Sequence, residues 1–173
     1  MGAMRREPHL LDLQFNGSVG NVPFLSTHDA LTGLYNRLFI ETELSRLEKS
    51  RLFPISIITA EIQDLKIINK THGYKAGDEM IINVARLFAK VFRPEDILTR
   101  YGGDEFAIIL PNVDATTAQV VINRIEKQIN AYNKKHTKHP INISIGVSTA
   151  NQGDSLKNHL RVAEKRMWQE RSN

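Results

Sequence analysis

The sequence predicts an α/β (α+β) domain, a mixed sheet with helices packed on it, and three observations carry that prediction. Segments of helical and strand-like period alternate in the order helix, strand, helix, strand-hairpin-strand, helix, strand, helix. Two apolar runs meet through Gly102-Gly103, as the arms of a hairpin do. The length, 173 residues, suits one domain with room for a sizeable core.

Residues 1–24 mix Leu10-Leu11-Asp12-Leu13 with the turn-formers Asn16-Gly17-Ser18 and Gly20-Asn21, which breaks any helical period and predicts a tail or linker. Its first four residues, Met1-Gly2-Ala3-Met4, read as a cloning remnant, and the domain is expected over 25–173. A turn at Asp29 to Gly33 precedes a helix from Asn36 to about Arg51, with Leu38, Ile40, Leu44 and Leu47 on its stripe and Pro54 as its stop. Ile55 to Glu61 is short, β-branched and mostly apolar, as a buried strand is, and Glu61 sits at its end. Lys66 to Asn69 reads as a short helix closed near Gly73. A longer helix opens around Gly77-Asp78, with Asp78 as a cap, and carries Ile81, Val84, Ala85, Phe88 and Phe92 on one face up to Pro94.

Ile97 to Arg100 and Phe106 to Leu110 are the hairpin strands, and the two glycines between them are expected to supply positive φ angles. Asp114 can cap a helix with Ile122, Ile125, Ile129 and Tyr132 on its buried face. Ile141, Ile143, Ile145 and Val147 then alternate with Asn142, Ser144, Gly146 and Ser148, the pattern of a strand with one buried face. Leu156, Leu160, Ala163 and Met167 mark a closing helix.

Composition narrows the chemistry. With no cysteine, the chain has no disulfides, thiolate nucleophiles or cysteine-ligated metals, whereas oxygen-ligated metals remain open. No apolar run approaches the roughly 18 residues of a membrane span, so a soluble fragment without membrane contact is expected. A net charge of +4 and a pI near 9.4 fit either a polyanionic partner or ordinary solubility charge. No aromatic-interleaved basic stripe accompanies that charge, so nucleic acid is not an expected partner.

Asp104-Glu105, directly after two glycines, places like charges where the backbone also approaches closely. One reading is a solvated turn. The other is a phosphate site, in which the glycines admit a bulky anion and the carboxylates hold a hard cation, Mg²⁺ being the expected one. Glu61 is then a candidate third acid, or simply the residue at which its strand reaches water.

Four stretches together resemble the GGDEF domain family of diguanylate cyclases: HDALTGLYNR (28–37), EIQDLKIINKTHGYKAGDEMI (61–81), RPEDILTRYGGDEF (93–106) and AEKRMWQER (163–171). The resemblance spans residues 25–171 and implies a mixed, mainly antiparallel central sheet flanked by helices, of the nucleotidyl-cyclase and polymerase-palm kind. It implies condensation of two GTP into cyclic di-GMP with release of pyrophosphate, one GTP per domain, so a homodimer for catalysis, with Mg²⁺ or Mn²⁺ as cofactor. Metal ligands would be Glu61, the Ile62 carbonyl, Asp104 and Glu105. Asp104 would also accept the hydroxyl proton, and Lys66 would stabilise developing phosphate charge. Asn69 and Asp78 would read guanine; a carboxylate there accepts from N1–H and the 2-amino group, a donor pair that adenine lacks. Tyr74, Gly102, Gly103 and Arg171 would complete the substrate contacts. Arg93 and Asp96, with Arg124, would form an inhibitory site for the product. A cytoplasmic setting and fusion to an upstream sensor are implied as well.

The match departs at Glu61, Gln63, Leu65 and Lys70, where the family usually has Asp, Asp, Phe and Asp. The Gly-Arg-Asn that often ends the closing helix is also missing, and Tyr74 replaces a common histidine. Glu61 adds one methylene, roughly 1.5 Å of reach, to a site whose ion demands oxygens at about 2.0 to 2.1 Å. These departures imply lowered activity. They also sustain a second reading, a degenerate domain that binds GTP or cyclic di-GMP and regulates a partner without turnover.

Overall fold

The structure, a computed structural model, describes residues 26–172. The expected tail over 1–24 and its first four residues lie outside them. Five helices and four strands follow one another: α1 (Arg37–Glu48), β1 (Ile55–Ile62), α2 (Leu65–His72), α3 (Tyr74–Ala89), β2 (Ile97–Arg100), β3 (Glu105–Pro111), α4 (Ala115–Lys135), β4 (Ile143–Ala150) and α5 (Leu156–Arg171). The strands form one sheet in the order β2-β3-β1-β4, and every pairing is antiparallel. The expected mixed character shrinks to one isolated parallel bridge, Tyr35 to Thr99, along the outer side of β2.

Strand alternation divides the core in two. Ile58, Ala60, Ile62, Phe106, Ile108 and Leu110 face α3 and α4, packing on Val84, Phe88, Ile122 and Ile125. Ile55, Ile57, Ala107 and Ile109 face α1 and α5, packing on Ile40, Leu44, Leu47, Leu156 and Leu160. With both faces covered, every residue of β1 is buried, which is why its sequence up to Glu61 is mostly apolar, broken only by the buried Ser56 and Thr59.

Helix boundaries follow their caps. Asn36 caps α1 through a bond from the Phe39 N–H, and Asp114 caps α4 by accepting from the Thr117 N–H at 2.7 Å. α1 ends at Glu48, short of the expected Arg51, so Pro54 does not stop it; Leu38, assigned to its stripe, is exposed. α2 and α3 join at Gly73, whose φ of +86° only glycine adopts cheaply. Asp78 therefore lies inside α3, one turn past its start, and is not the cap that sequence spacing suggests.

The hairpin and β4 bring two further corrections. Gly102 and Gly103 are not among the glycines with positive φ. The connection takes four residues, and the N–H groups of Tyr101 and Gly102 both donate to the Glu105 carbonyl, so the bend needs no primed two-residue turn. On β4 the small residues Ser144, Gly146, Ser148 and Ala150 are the buried set, while Ile143, Ile145 and Val147 are only partly covered. Gly146 explains the inversion. A Cβ there would lie 2.0 Å from the Ala163 carbonyl oxygen, so α5 rests on this face at backbone distance.

Candidate active site

Two strand ends and one helix end converge on the acids singled out by sequence. In the β1–β3 register Glu61 stands directly opposite Glu105, and the Ile62 N–H donates to the Asp104 carbonyl at 2.8 Å, tying the hairpin to β1. One carboxylate oxygen from each of Glu61, Asp104 and Glu105 lies within 4.8 Å of the others. Glu61 is buried, and the other two are half-buried. Like charges directly opposite in a sheet are destabilising, and the Glu105 carboxyl shows it: burial first, then Asp104 and Glu61, hold its pKa above the usual carboxylate range. Three converging carboxylates with hard oxygen donors fit a divalent cation such as Mg²⁺ or Mn²⁺.

A cleft of about 250 Å³ opens beside this cluster, lined by Glu61, Ile62, Lys66, Asp104 and Arg171 among others. Asp64, an exposed fourth acid with a φ of +61°, lines it too and was not singled out from sequence. Arg171, at the end of α5, donates to Glu61 at 3.0 and 3.4 Å, so the expected phosphate contact is turned onto an acid. Gln63 donates through Nε2 to the Ser144 hydroxyl at 2.8 Å, a neutral link from β1 to β4 where the family usually carries a charge.

The hairpin tip is anchored from behind. Arg100 donates to the Gly103 carbonyl at 2.8 Å and pairs with Asp29 at 3.2 Å. Asp29 in turn accepts from the N–H and hydroxyl of Thr32, so the stretch at 28–37 buttresses the acids. The signal for Arg100, a charge closing an apolar strand, was present in the sequence and missed. The Gly102 Cα faces the Glu105 carboxylate, where a Cβ would sit 3.0 Å from Oε2; around Gly103 there is open space.

Asn69 and Asp78 occupy the neighbouring helices α2 and α3. The buried Asn69 Oδ1 has no hydrogen-bond partner among the described residues and lies over Gly77, so close that a Cβ there would be 1.8 Å away. Asp78 and Tyr74 are exposed. Arg93 and Asp96 form a separate ion pair at 2.9 Å ahead of β2, with the Arg93 N–H also bonded to Asp96. Two clefts flank that pair, and Arg124, exposed on α4, lines neither.

The profile of the family described as "Diguanylate cyclase, GGDEF domain" matches residues 26–173. The chain belongs to the GGDEF diguanylate cyclase family. This GGDEF domain is 34 % identical over 153 residues to the response regulator PleD of Caulobacter vibrioides, covering 84 % of this chain and 34 % of PleD. It is 31 % identical over 149 residues to the probable diguanylate cyclase DgcC of Escherichia coli K12, covering 83 % of this chain and 40 % of DgcC. It thus spans well under half the length of these relatives. Among solved structures, the coiled coil and GGDEF domain of DgcB from Caulobacter crescentus in complex with c-di-GMP aligns with a TM-score of 0.78. That alignment has 24 % identity and covers 88 % of this chain and 84 % of that one. At that identity the likeness establishes the shared fold.

Proposed function

We propose that this GGDEF domain is a diguanylate cyclase that condenses two GTP, one held by each protomer of a dimer, into cyclic di-GMP. The observation that carries the reading is the convergence of Glu61, Asp104 and Glu105 from two paired strands within 4.8 Å, beside a cleft that also holds Lys66. Each 3′-hydroxyl attacks the α-phosphorus of the opposite nucleotide; a P–O bond forms, the α–β bridge breaks, and pyrophosphate leaves. A divalent ion on these carboxylates and the Ile62 carbonyl would orient the triphosphate and spread its charge. Asp104 takes the hydroxyl proton, and Lys66 offsets charge growing on the phosphate. Gly102 and Gly103 keep side chains out of the path of the triphosphate. Asn69 and Asp78 select guanine, the Asp78 carboxylate accepting from N1–H and the 2-amino group. Product returns to the Arg93–Asp96 pair as a feedback inhibitor.

Incubation with GTP and Mg²⁺ at high protein concentration tests this directly. Cyclic di-GMP is expected from the native chain and not from Asp104→Asn. No product, under conditions where a control cyclase works, would sink the reading.

A second reading has its own support. Arg171 already neutralises Glu61, and Gln63 is committed to Ser144, an arrangement compatible with a domain that binds nucleotide without turning it over. Calorimetry then shows GTP or cyclic di-GMP binding while no product accumulates.

A further inference from the structure

Glu170 and Arg166 belong to no part of the proposed chemistry, yet both are committed to one backbone edge. β4 lies at the margin of the sheet, paired only with β1. Its outward N–H and C=O groups would otherwise stand open. The Glu170 carboxylate accepts from the Ile145 N–H, and Arg166 donates to the Val147 carbonyl at 2.6 Å.

The spacing of these bonds is matched. Four helix residues rise about 6 Å, two strand residues about 6.6 Å, so an i, i+4 pair on α5 spans an i, i+2 pair on β4. Glu170 is a good helix former placed at the wrong end of its helix. An acid in the last turn opposes the helix dipole, and its bond to Ile145 is what the structure gives in return. Arg171 follows immediately, four residues beyond Met167 on the stripe that faces the sheet, and its pair with Glu61 is the last contact of that stripe.

We propose that Glu170 and Arg166 are positioning residues: they fasten the end of α5 to the edge of β4 and so hold the Arg171 guanidinium at Glu61, where it competes with a divalent cation. The competition rests on the proposed metal role of the acid cluster; the fastening does not. Glu61, one methylene longer than the usual Asp, has the reach for this contact. Metal entry then requires Arg171 to leave, and the phosphates of an arriving nucleotide offer it an alternative anion.

The test uses the full chain without nucleotide, titrated with Mn²⁺ by calorimetry. Arg171→Gln is expected to tighten Mn²⁺ binding roughly tenfold, by removing one positive charge beside the site. Glu170→Ala is expected to tighten it about threefold, and Glu170→Gln, whose amide oxygen still accepts from Ile145, to match the native chain. Added to Arg171→Gln, Glu170→Ala should change nothing more, because both act through the same guanidinium. A purely structural Glu170 would instead lower thermal stability in both backgrounds and leave Mn²⁺ affinity alone, which overturns the proposal. So does a Glu170→Ala effect that persists without Arg171. The fastening is read separately from the metal, by the exchange of the Arg171 guanidinium protons in NMR. It is expected to be slower in the native chain and in Glu170→Gln than in Glu170→Ala. That difference with no Mn²⁺ binding in any variant would remove the metal reading and the competition but keep the fastening. Equal exchange in the native chain and in Glu170→Ala would remove the fastening whatever the metal does.

Discussion

Replacing Gly77 by alanine separates nucleotide recognition from folding. Gly77 lies within α3, where alanine is worth up to about 1 kcal/mol more than glycine by helix propensity. The new Cβ would, however, lie 1.8 Å from the Asn69 Oδ1, so the amide has to swing aside by more than an ångström. That movement breaks no hydrogen bond to Oδ1, which has none, and an off-rotamer Asn costs about 0.5 to 1.5 kcal/mol. Propensity gain and rotamer cost offset each other, so thermal stability should stay within about 1 kcal/mol of the native chain. If Asn69 contacts guanine, its displacement forfeits one hydrogen bond and leaves a polar group of the base unmatched, about 1 to 3 kcal/mol, or roughly 5- to 150-fold in affinity. Thermal unfolding and calorimetric titration with a non-hydrolysable GTP analogue measure the two quantities on one sample. Unchanged nucleotide affinity in a stable Gly77→Ala protein would refute the role given to Asn69.

Three other outcomes are expected. Gly146→Ala should destabilise by about 3 kcal/mol or more, read as a lowered midpoint in urea, because its Cβ meets the Ala163 carbonyl and the Met167 N–H, backbone groups that cannot rotate away. Glu61→Asp withdraws the carboxylate from Arg171 and restores the usual ligand length; cyclic di-GMP formation should rise about tenfold, while a buried carboxylate left without its cation lowers the unfolding midpoint in the absence of metal. The Asp114 carboxyl is held below its ordinary value by the N–H and hydroxyl of Thr117. Its contribution is therefore present above the unfolded value near 3.9 and is lost as pH falls through the lower folded one. Asp114→Asn, which keeps the acceptor, should flatten that part of the melting-temperature profile below about pH 4.

What could be read from sequence was whatever repeats along the chain. The stripes Ile81-Val84-Phe88, Ile122-Ile125-Ile129 and Leu156-Leu160-Ala163 are buried as their spacing requires, and the hairpin falls between the expected strands. β4 defeated the same reasoning because volume stood in for hydrophobicity: Gly146 and its serine neighbours lie deeper than the isoleucines since a helix backbone needs the room. In the site, the family's motifs placed Glu61, Asp104 and Glu105 together, and the structure brings their oxygens to one point. The links Arg171 to Glu61, Gln63 to Ser144 and Arg100 to Asp29 join segments 71 to 110 residues apart, and no local period encodes such a pairing.

The opposition of Glu61 and Glu105 ties the acids to the alignment of the sheet itself. Slipping β1 by one residue against β3 would set Ala60 or Ile62 opposite Glu105 and turn Glu61 into the apolar layer beneath α3 and α4. A cation bridging the two strands would therefore favour one alignment over its neighbours, and would find its ligands only in a chain whose strands had paired correctly. On the proposed metal role, cation affinity would therefore report whether the strands of the domain had paired in this register.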